Sequence, residues 1–563
     1  VKSPRRAFLP PSSRSVREIG AVVKTWGGRI PVALVYPNRY ATGIANLGFQ
    51  FVYELLNQQE DVVCERAFLP EDWLRGEKAR GSILTLESQT PLRRFEIVAF
   101  SVPFENDFPH VPAVLSLSGI PPYASRRSPP HPLVWVGGVT TSLNPEPLAP
   151  FVDLFAVGDA EVLLPDILDI YRRCRRTRRS KGETLAELSQ VEGVYIPSLY
   201  RVTYDRQGRI RSFRPKENAP ERVRRRLARN LSEGVPASRI LSRESAFDSM
   251  FLVEIGRGCP RRCRFCAAGH VLRPTRHRRF EDLAPVIRDG LSKRERIGLV
   301  SSSVCDHPHL HRLCRFILEA GGKVSVSSLR LDALDDELLE VLAQSGHRSL
   351  AIAPEAGSQR LRDILGKGIT EEQILEAVGR IARAGIPRLR MYFMVGLPWE
   401  RWQDVEAIEE LVRRILHRCR QELKGKEFER VTLSINPFVP KPFTPFQWHP
   451  FEEVSELKSR IRHLQRVFRR DRRILLLHEP PKWARIQALL SRGDRRVGRV
   501  VGLVAQGTPW DKALREVNLN VEFYTRRHRT LEEILPWDFI DHGFSKEDLW
   551  TDYEQARRIA QAD

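Results

Sequence analysis

Cys259, Cys263 and Cys266 lie within eight residues, in Arg257-Gly258-Cys259-Pro260-Arg261-Arg262-Cys263-Arg264-Phe265-Cys266. Three thiolates at this Cys-x3-Cys-x2-Cys spacing can ligate three irons of a cubane 4Fe–4S cluster. The fourth iron is then left without a protein ligand from this loop, and an open iron is a place for chemistry. Arg257, Arg261, Arg262 and Arg264 surround the cysteines, and opposing charge of this kind lowers a thiol pKa. Gly258 frees the backbone before the first ligand, and Pro260 stiffens the loop after it. Two other uses compete. A structural zinc site takes a fourth Cys or His at finger-like spacing, and His270 lies four residues past Cys266. A passive electron-transfer cluster takes a fourth cysteine, and no neighbouring cysteine offers one.

The elements that must position this loop read as two βα series. Apolar strand segments at 32–36, 62–66, 97–101, 133–136 and 154–157 alternate with helical patterns at 45–57, 109–117 and 162–173. Short buried strands alternating with helices predict a parallel, doubly wound sheet, whose ligands sit at the carboxyl ends of the strands. Residues 194–204 and 210–213 flank Asp205-Arg206-Gln207-Gly208, which reads as a hairpin turn. Residues 214–245 are basic and Pro-containing and read as a linker. A second series has strands at 251–255, 297–302, 324–328, 350–353, 389–395 and 431–435. One of its helices, 371–384, carries Ile374, Leu375, Val378, Ile381 and Ala382 on one face, with Gly385 placed to end it. The cysteine loop follows the first of these strands directly, where βα barrels collect function. The expected organisation is an arm at 1–30, a Rossmann-type domain at 31–193, hairpin and linker at 194–245, a barrel at 246–450 and a helical region at 451–563.

The chain has 563 residues, 42% hydrophobic and 29% charged, which is ordinary for a globular protein. Eight cysteines are too sparse for a disulfide framework. Cys64, Cys174, Cys305, Cys314 and Cys419 read as small buried apolar residues, with Cys305 set near a strand end. No apolar run reaches membrane-spanning length, and the first residues lack a signal-peptide core, so a cytoplasmic location is the default expectation. The chain starts without Met, which suggests trimming. Net charge is +21, with arginine clusters at 172–179, 222–226 and 466–473. Such a surface favours polyanions, RNA above all. Solvated helix faces account for the same residues, and the clusters contain few aromatics for base stacking.

The cysteine motif, with Phe265 just before its last cysteine, resembles the signature of the radical S-adenosylmethionine (SAM) superfamily. That resemblance implies an α/β fold in which the second series forms a partial (β/α)6 barrel. It also implies that the fourth iron binds the amino and carboxylate groups of SAM, and that an electron from the cluster cleaves the sulfonium to methionine and a 5′-deoxyadenosyl radical. Such an enzyme needs a low-potential electron donor such as flavodoxin or ferredoxin. Phe265 matches the position whose backbone contacts adenine. Ser302 ends the second strand, where the family often carries a Gly-Gly-Glu-like segment, so this chain departs from the pattern there. Ser328 and Arg330 end the third strand, within reach of the SAM ribose or carboxylate. Glu355 ends the fourth, either as an acceptor for SAM or as a helix N-terminal acid. Gly396 and Pro398 resemble the turn near adenine. The segment Asn436-Pro437-Phe438-Val439-Pro440-Lys441-Pro442 resembles the sixth strand end of methylthiotransferase-like and cobalamin-associated members.

Radical SAM enzymes that begin with a doubly wound domain usually bind cobalamin there. The Asp-x-His-x-x-Gly cobalt motif corresponds here to Asn38-Arg39-Tyr40-Ala41-Thr42-Gly43. Tyr40 replaces the ligand histidine and Gly43 survives, while Ser101, Gly137 and Gly138 fall where the nucleotide tail would be held. Either the domain holds cobalamin without a histidine ligand, or it holds none. The order of segments resembles a bacterial family of cobalamin-binding-domain-containing radical SAM proteins, through Ala45-Asn46-Leu47-Gly48, Asn144–Leu148, Leu365-Gly366-Lys367-Gly368 and Leu535-Pro536-Trp537-Asp538. Its implied activity is radical generation, with methylation of an unreactive carbon if cobalamin supplies a second methyl donor. A tRNA methylthiotransferase is the alternative enzyme, but its N-terminal domain carries three further cluster cysteines, and here that domain holds only Cys64 and Cys174. A non-catalytic RNA-binding protein with a structural cluster is the alternative of another class.

Overall fold

The computed structural model describes residues 18–77, 81–216, 218–326, 329–424 and 427–562. Ser327, Ser328 and residues 1–17 of the N-terminal arm lie outside the described residues. No helix among the described residues is long and apolar enough to cross a membrane.

Five apolar segments form parallel strands, Ile30–Tyr36 (β1), Val62–Phe68 (β2), Ile97–Ser101 (β3), Leu133–Gly137 (β4) and Leu154–Ala156 (β5). Val194–Tyr195 (β6) adds antiparallel to β5, giving the order β2-β1-β3-β4-β5-β6. Both faces of this sheet are covered, which is why its strands read as continuous apolar runs. The helix Leu47–Gln58 (α1) starts where the Asn46 side chain accepts the Phe49 N–H at 2.9 Å. The helix Ala160–Arg176 (α2) buries Leu163, Ile167, Leu168 and Tyr171 against the same sheet. The order reverses between β1 and β3, so the ligand crevice of a doubly wound sheet falls at the carboxyl ends of these strands. The hairpin Tyr200–Tyr204 (β7) and Ile210–Pro215 (β8) forms as the turn residues predict.

The second series gives Met250–Glu254 (β9), Arg296–Val300 (β10), Lys323–Val326 (β11), Ser349–Glu355 (β12), Arg388–Val395 (β13) and Arg430–Pro437 (β14). Every pairing among them is parallel. The barrel is not closed: β9-β10-β11 and β12-β13-β14 form separate ladders among the described residues. Nor is the C-terminal region purely helical. Ile474–His478 (β15) adds parallel to β14 as a seventh strand. Its sequence, Ile-Leu-Leu-Leu-His, is short enough to pass for part of a buried helix. The amphipathic helix Glu371–Arg383 (α3) is capped by Thr370 and Gln373 in a reciprocal box, and Ile374, Val378, Ile381 and Ala382 pack into the barrel core.

Residues 214–245 are not a free tether. Val223–Arg224 pairs with Ile540–Asp541, and Leu241–Ser242 pairs with Glu18–Ile19. Ion pairs and hydrogen bonds join the two sheets: Lys441, past the end of β14, meets Glu105, past the end of β3, at 2.5 Å. Ser491 donates to the same Glu105 oxygen at 2.9 Å. The carboxyl ends of both strand series therefore face each other.

Candidate functional site

The cysteine loop hangs from β9. Gly256–Arg257 pairs antiparallel with Arg276–His277, which clamps the two ends of the loop together. Gly258 has φ +84°, and a Cβ there would lie 2.4 Å from the Leu272 carbonyl oxygen, so only glycine fits. The Arg264 N–H donates to the Leu365 carbonyl at 2.9 Å, and its guanidinium donates to the Asp363 and Ile364 carbonyls at 2.9 Å and pairs with Asp552 at 2.7 Å. These contacts hold the loop between the 363–368 turn and the last helix. Cys259, Cys263 and Cys266 are all partly exposed free thiols.

The charge environment of the thiols differs from the expectation. Arg257 pairs with Glu161 at 2.6 Å and Glu254 at 2.9 Å, and Arg261 with Asp332 at 2.7 Å. With Arg264 also engaged, these guanidiniums serve loop structure. Burial pushes Cys263 up to about 11, and the cation that opposes this is Lys367. Burial also raises Cys266, opposed by the Gly269 and Ala268 N–H groups. Lys367 lies 3.0 Å from Glu355, so this ion pair sits beside the thiols. His270 presents its ring nitrogen to the Cys263 carbonyl at 3.3 Å, and burial holds it down at about 4, neutral. Among the described residues no three His, Cys, Asp or Glu side chains, the three cysteines included, are drawn together closely enough to form a shell around a single ion.

The SAM candidates fall at several places around the mouth. Glu355 ends β12 after an irregularity in the ladder, with φ +69°, an uncommon conformation for a non-glycine residue. Gly396 ends β13 with φ +74°, and its N–H donates to Glu400 at 2.8 Å; Pro398 follows in the same turn. Phe265 packs, half-buried, against the core beneath the loop. Ser302 lines the cavity described next. Arg330 is not free for a carboxylate: it pairs with Asp306 and Asp332, and its N–H donates to the Cys305 sulfur at 3.5 Å. Ser328 lies outside the described residues.

A cavity of about 440 Å³ opens where the two strand series meet. From the first sheet come Ser101, Gly137 and Gly138; from the barrel come Glu254, Gly256, Arg257, Ser301 and Ser302. It continues as an apolar slot between the sheet and α1 and α2, walled by Leu34, Phe51, Ala99, Trp135, Leu163 and Ile167. Gly138 has φ +115°, and a Cβ would lie 2.6 Å from the Val102 carbonyl oxygen. A Cβ at Gly137 would meet nothing within 4 Å. Two buried polar atoms of the wall have no hydrogen-bond partner among the described residues, Trp135 Nε1 and Glu161 Oε2. Burial raises the Glu161 carboxyl, with Arg257 opposing.

Tyr40 and Gly43 are not part of this wall. Tyr40 is buried edge-on against Phe68, and its hydroxyl donates to Glu18 at 2.6 Å. A Cβ at Gly43 would lie 2.5 Å from the Phe68 ring. The segment 38–43 follows the carboxyl end of β1, and Tyr40 and Gly43 pack on Phe68 at the end of β2 rather than line the cavity.

A family model described as "Radical SAM superfamily" matches residues 253–412, and one described as "Radical SAM proteins, N-terminal" matches residues 48–197. The chain belongs to the radical SAM superfamily. This radical SAM protein is 28% identical to an uncharacterized protein of Methanocaldococcus jannaschii, over 87% of this chain and 94% of that one. It is 27% identical to a ribosomal protein uS12 methylthiotransferase of Acetivibrio thermocellus, over 42% of this chain and 54% of that one. Among solved structures, the cobalamin-dependent S-adenosylmethionine radical enzyme OxsB with aqua-cobalamin bound gives a TM-score of 0.49 at 14% identity, over 95% of this chain and 80% of that one. The superfamily implies a 4Fe–4S cluster and SAM, and a reductant to drive them.

Sequence reasoning missed Lys367 and Glu161. Lys367 was visible as the lysine of Leu365-Gly366-Lys367-Gly368, but its partner Glu355 lies a loop and a helix away. Glu161 stood in the Gly158–Glu161 strand end, whose contact with Arg257 only the meeting of the two series creates.

Proposed function

We propose that this radical SAM protein holds its cluster on Cys259, Cys263 and Cys266, binds cobalamin in the cavity between the two sheets, and methylates an unreactive carbon. When bound, the cluster supplies an electron to SAM and cobalamin supplies a methyl group to the substrate. The observation that carries the cobalamin part is the cavity: a polar mouth shared with the barrel, continuing into an apolar slot at the topological switch of a doubly wound sheet. The unpartnered Trp135 Nε1 and Glu161 Oε2 in its wall suit a large ligand rich in amide groups.

The remaining roles belong to residues of the chain. Lys367 favours thiolate at Cys263 and holds Glu355 beside the loop in an ion pair. Gly396 and Pro398 are buried in a turn packed by Leu457 and Glu452, so their part is to shape the end of β13 at the mouth. Arg257 ties the cysteine loop to Glu161 of α2, so the cluster and the cavity share one rigid wall. The tRNA methylthiotransferase reading lacks its extra thiols, because Cys64 and Cys174 are buried in β2 and α2. The test is an anaerobic optical titration with hydroxocobalamin. A saturable spectral change at one equivalent supports the reading, and an unchanged spectrum at tens of micromolar removes cobalamin from it.

A further inference from the structure

The barrel sheet is open on the side of β15. In this strand Ile474 and Leu476 pack against the core, so the strand alternation turns Leu475 and Leu477 to the opposite, barrel-interior face. Both are large apolar side chains left 43% and 42% exposed. The register extends this face inward: Leu475 neighbours Thr432 and then Arg390, and Leu477 neighbours Ser434 and then Tyr392. Arg390 is exposed and has no ion-pair or hydrogen-bond partner among the described residues. The outer edge of β15 pairs with no strand among the described residues.

The two ends of β15 carry different groups. The turn leading into it, with the end of the preceding helix Val454–Phe468, presents Arg466, Arg469, Arg470 and Arg472. All four are exposed, and their side chains have no partner among the described residues, unlike Arg473, which pairs with Asp471. Past the other end, Trp483 stands 46% exposed on the helix Pro481–Arg492. Gln487, one turn on along the same face, donates to Glu105 at 3.2 Å, and the neighbouring Phe104 is 42% exposed. β15 itself spans about 16 Å, with the free arginines before it and the two exposed aromatics past its other end, towards the barrel mouth.

We propose that this surface docks single-stranded RNA, with phosphates on the arginine turn and bases against Leu475, Leu477, Trp483 and Phe104. The proposal rests on the reading of the barrel mouth as the radical SAM site and names the substrate class delivered to it. Free guanidiniums beside exposed aromatic and apolar side chains match a strand that carries phosphates on one side and π-faces on the other. An extended peptide adding to the bare edge of β15 is the rival occupant, but it gives the unpaired arginines no role.

The test uses the full-length reconstituted protein and fluorescence anisotropy with a labelled 20-nucleotide single-stranded RNA. Arg469→Glu/Arg470→Glu should weaken binding at least tenfold and reduce the salt slope by about 1.4, two phosphate contacts at ~0.7 each. Trp483→Ala should weaken it about fivefold or more, the loss of one stacked base. Arg176→Glu/Arg178→Glu, with the same charge change on exposed residues of another face, should stay within about twofold. Equal losses in both charge variants, or no RNA binding by the wild type, overturn the proposal. So does capture of a labelled 15-residue β-forming peptide in preference to RNA. Uncoupled formation of 5′-deoxyadenosine should be unchanged in Arg469→Glu/Arg470→Glu, so that its absence in the wild type marks failure of the radical SAM reading instead.

Discussion

Gly137→Leu tests whether the cavity is a ligand site. A Cβ at Gly137 meets nothing within 4 Å, so the substitution has room in the empty protein. Removing one core leucine elsewhere opens a void of ~150 Å³. A leucine side chain would therefore fill roughly a third of the cavity of about 440 Å³. It would fill it at the strand end, where polar mouth and apolar slot join. A ligand that needs both parts must lose contacts or be excluded, with an expected loss of at least tenfold in hydroxocobalamin affinity, about 1.4 kcal/mol. The added apolar surface has no clash to relieve, so the melting temperature should hold or rise slightly. Gly138→Ala is the contrasting variant: its Cβ would lie 2.6 Å from a backbone oxygen at φ +115°, so it should destabilise the fold. Optical titration and a circular-dichroism melt read both effects. Wild-type affinity in a folded Gly137→Leu protein would refute the assignment of this cavity.

Gly258→Ala should cost about 2 kcal/mol, through the left-handed backbone and the Leu272 carbonyl 2.4 Å away; iron content after reconstitution should fall, and full iron loading would contradict this. Tyr40→His should leave the bound-cobalamin spectrum without a nitrogen-ligand shift, because residue 40 packs on Phe68 away from the cavity; a histidine-type shift would show that the segment reaches cobalt. Burial pushes the Glu400 carboxyl up to about 7, against Arg460 at 3.2 Å. The folded state then keeps a proton that the unfolded chain releases above about 4.5, so stability is lost as pH rises from 4.5 to 7. Relative to Glu400→Gln, the wild type should lose on the order of 3 kcal/mol across that window in denaturant titrations, and a constant difference would exclude the raised carboxyl.

The cysteine loop and both strand series were legible because each rests on local signals. The β1, β3, β4 and β5 runs are almost wholly apolar, as a sheet covered on both faces requires, while β2 buries Glu65 and Arg66 in its middle. The α3 face repeats at helical spacing between clear caps. The departures have a common cause, which is that chemistry between distant segments leaves no local trace. β15 escaped notice because five residues carry no period, and its pairing with β14 is a tertiary fact. The arginines around the cysteines were read as thiol activators by proximity in sequence, but Glu161, Asp332 and Asp552 engage three of them from elsewhere in the fold. Tyr40 was read as a replaced ligand from spacing alone, and its orientation against Phe68 is set by the sheet. The cavity itself could be located only as strand ends, since its wall joins Ser101 and Gly137 to Arg257 and Ser302.

The most direct measurement is 5′-deoxyadenosine production by anaerobically reconstituted protein given SAM and a strong reductant. Wild type should form 5′-deoxyadenosine and methionine in equal amounts, and Cys263→Ala should form neither while still taking up hydroxocobalamin. Persistent absence of 5′-deoxyadenosine from cluster-loaded wild type, with RNA present or absent, or unchanged production by Cys263→Ala, would contradict the assignment of the three-cysteine loop as the site of radical generation.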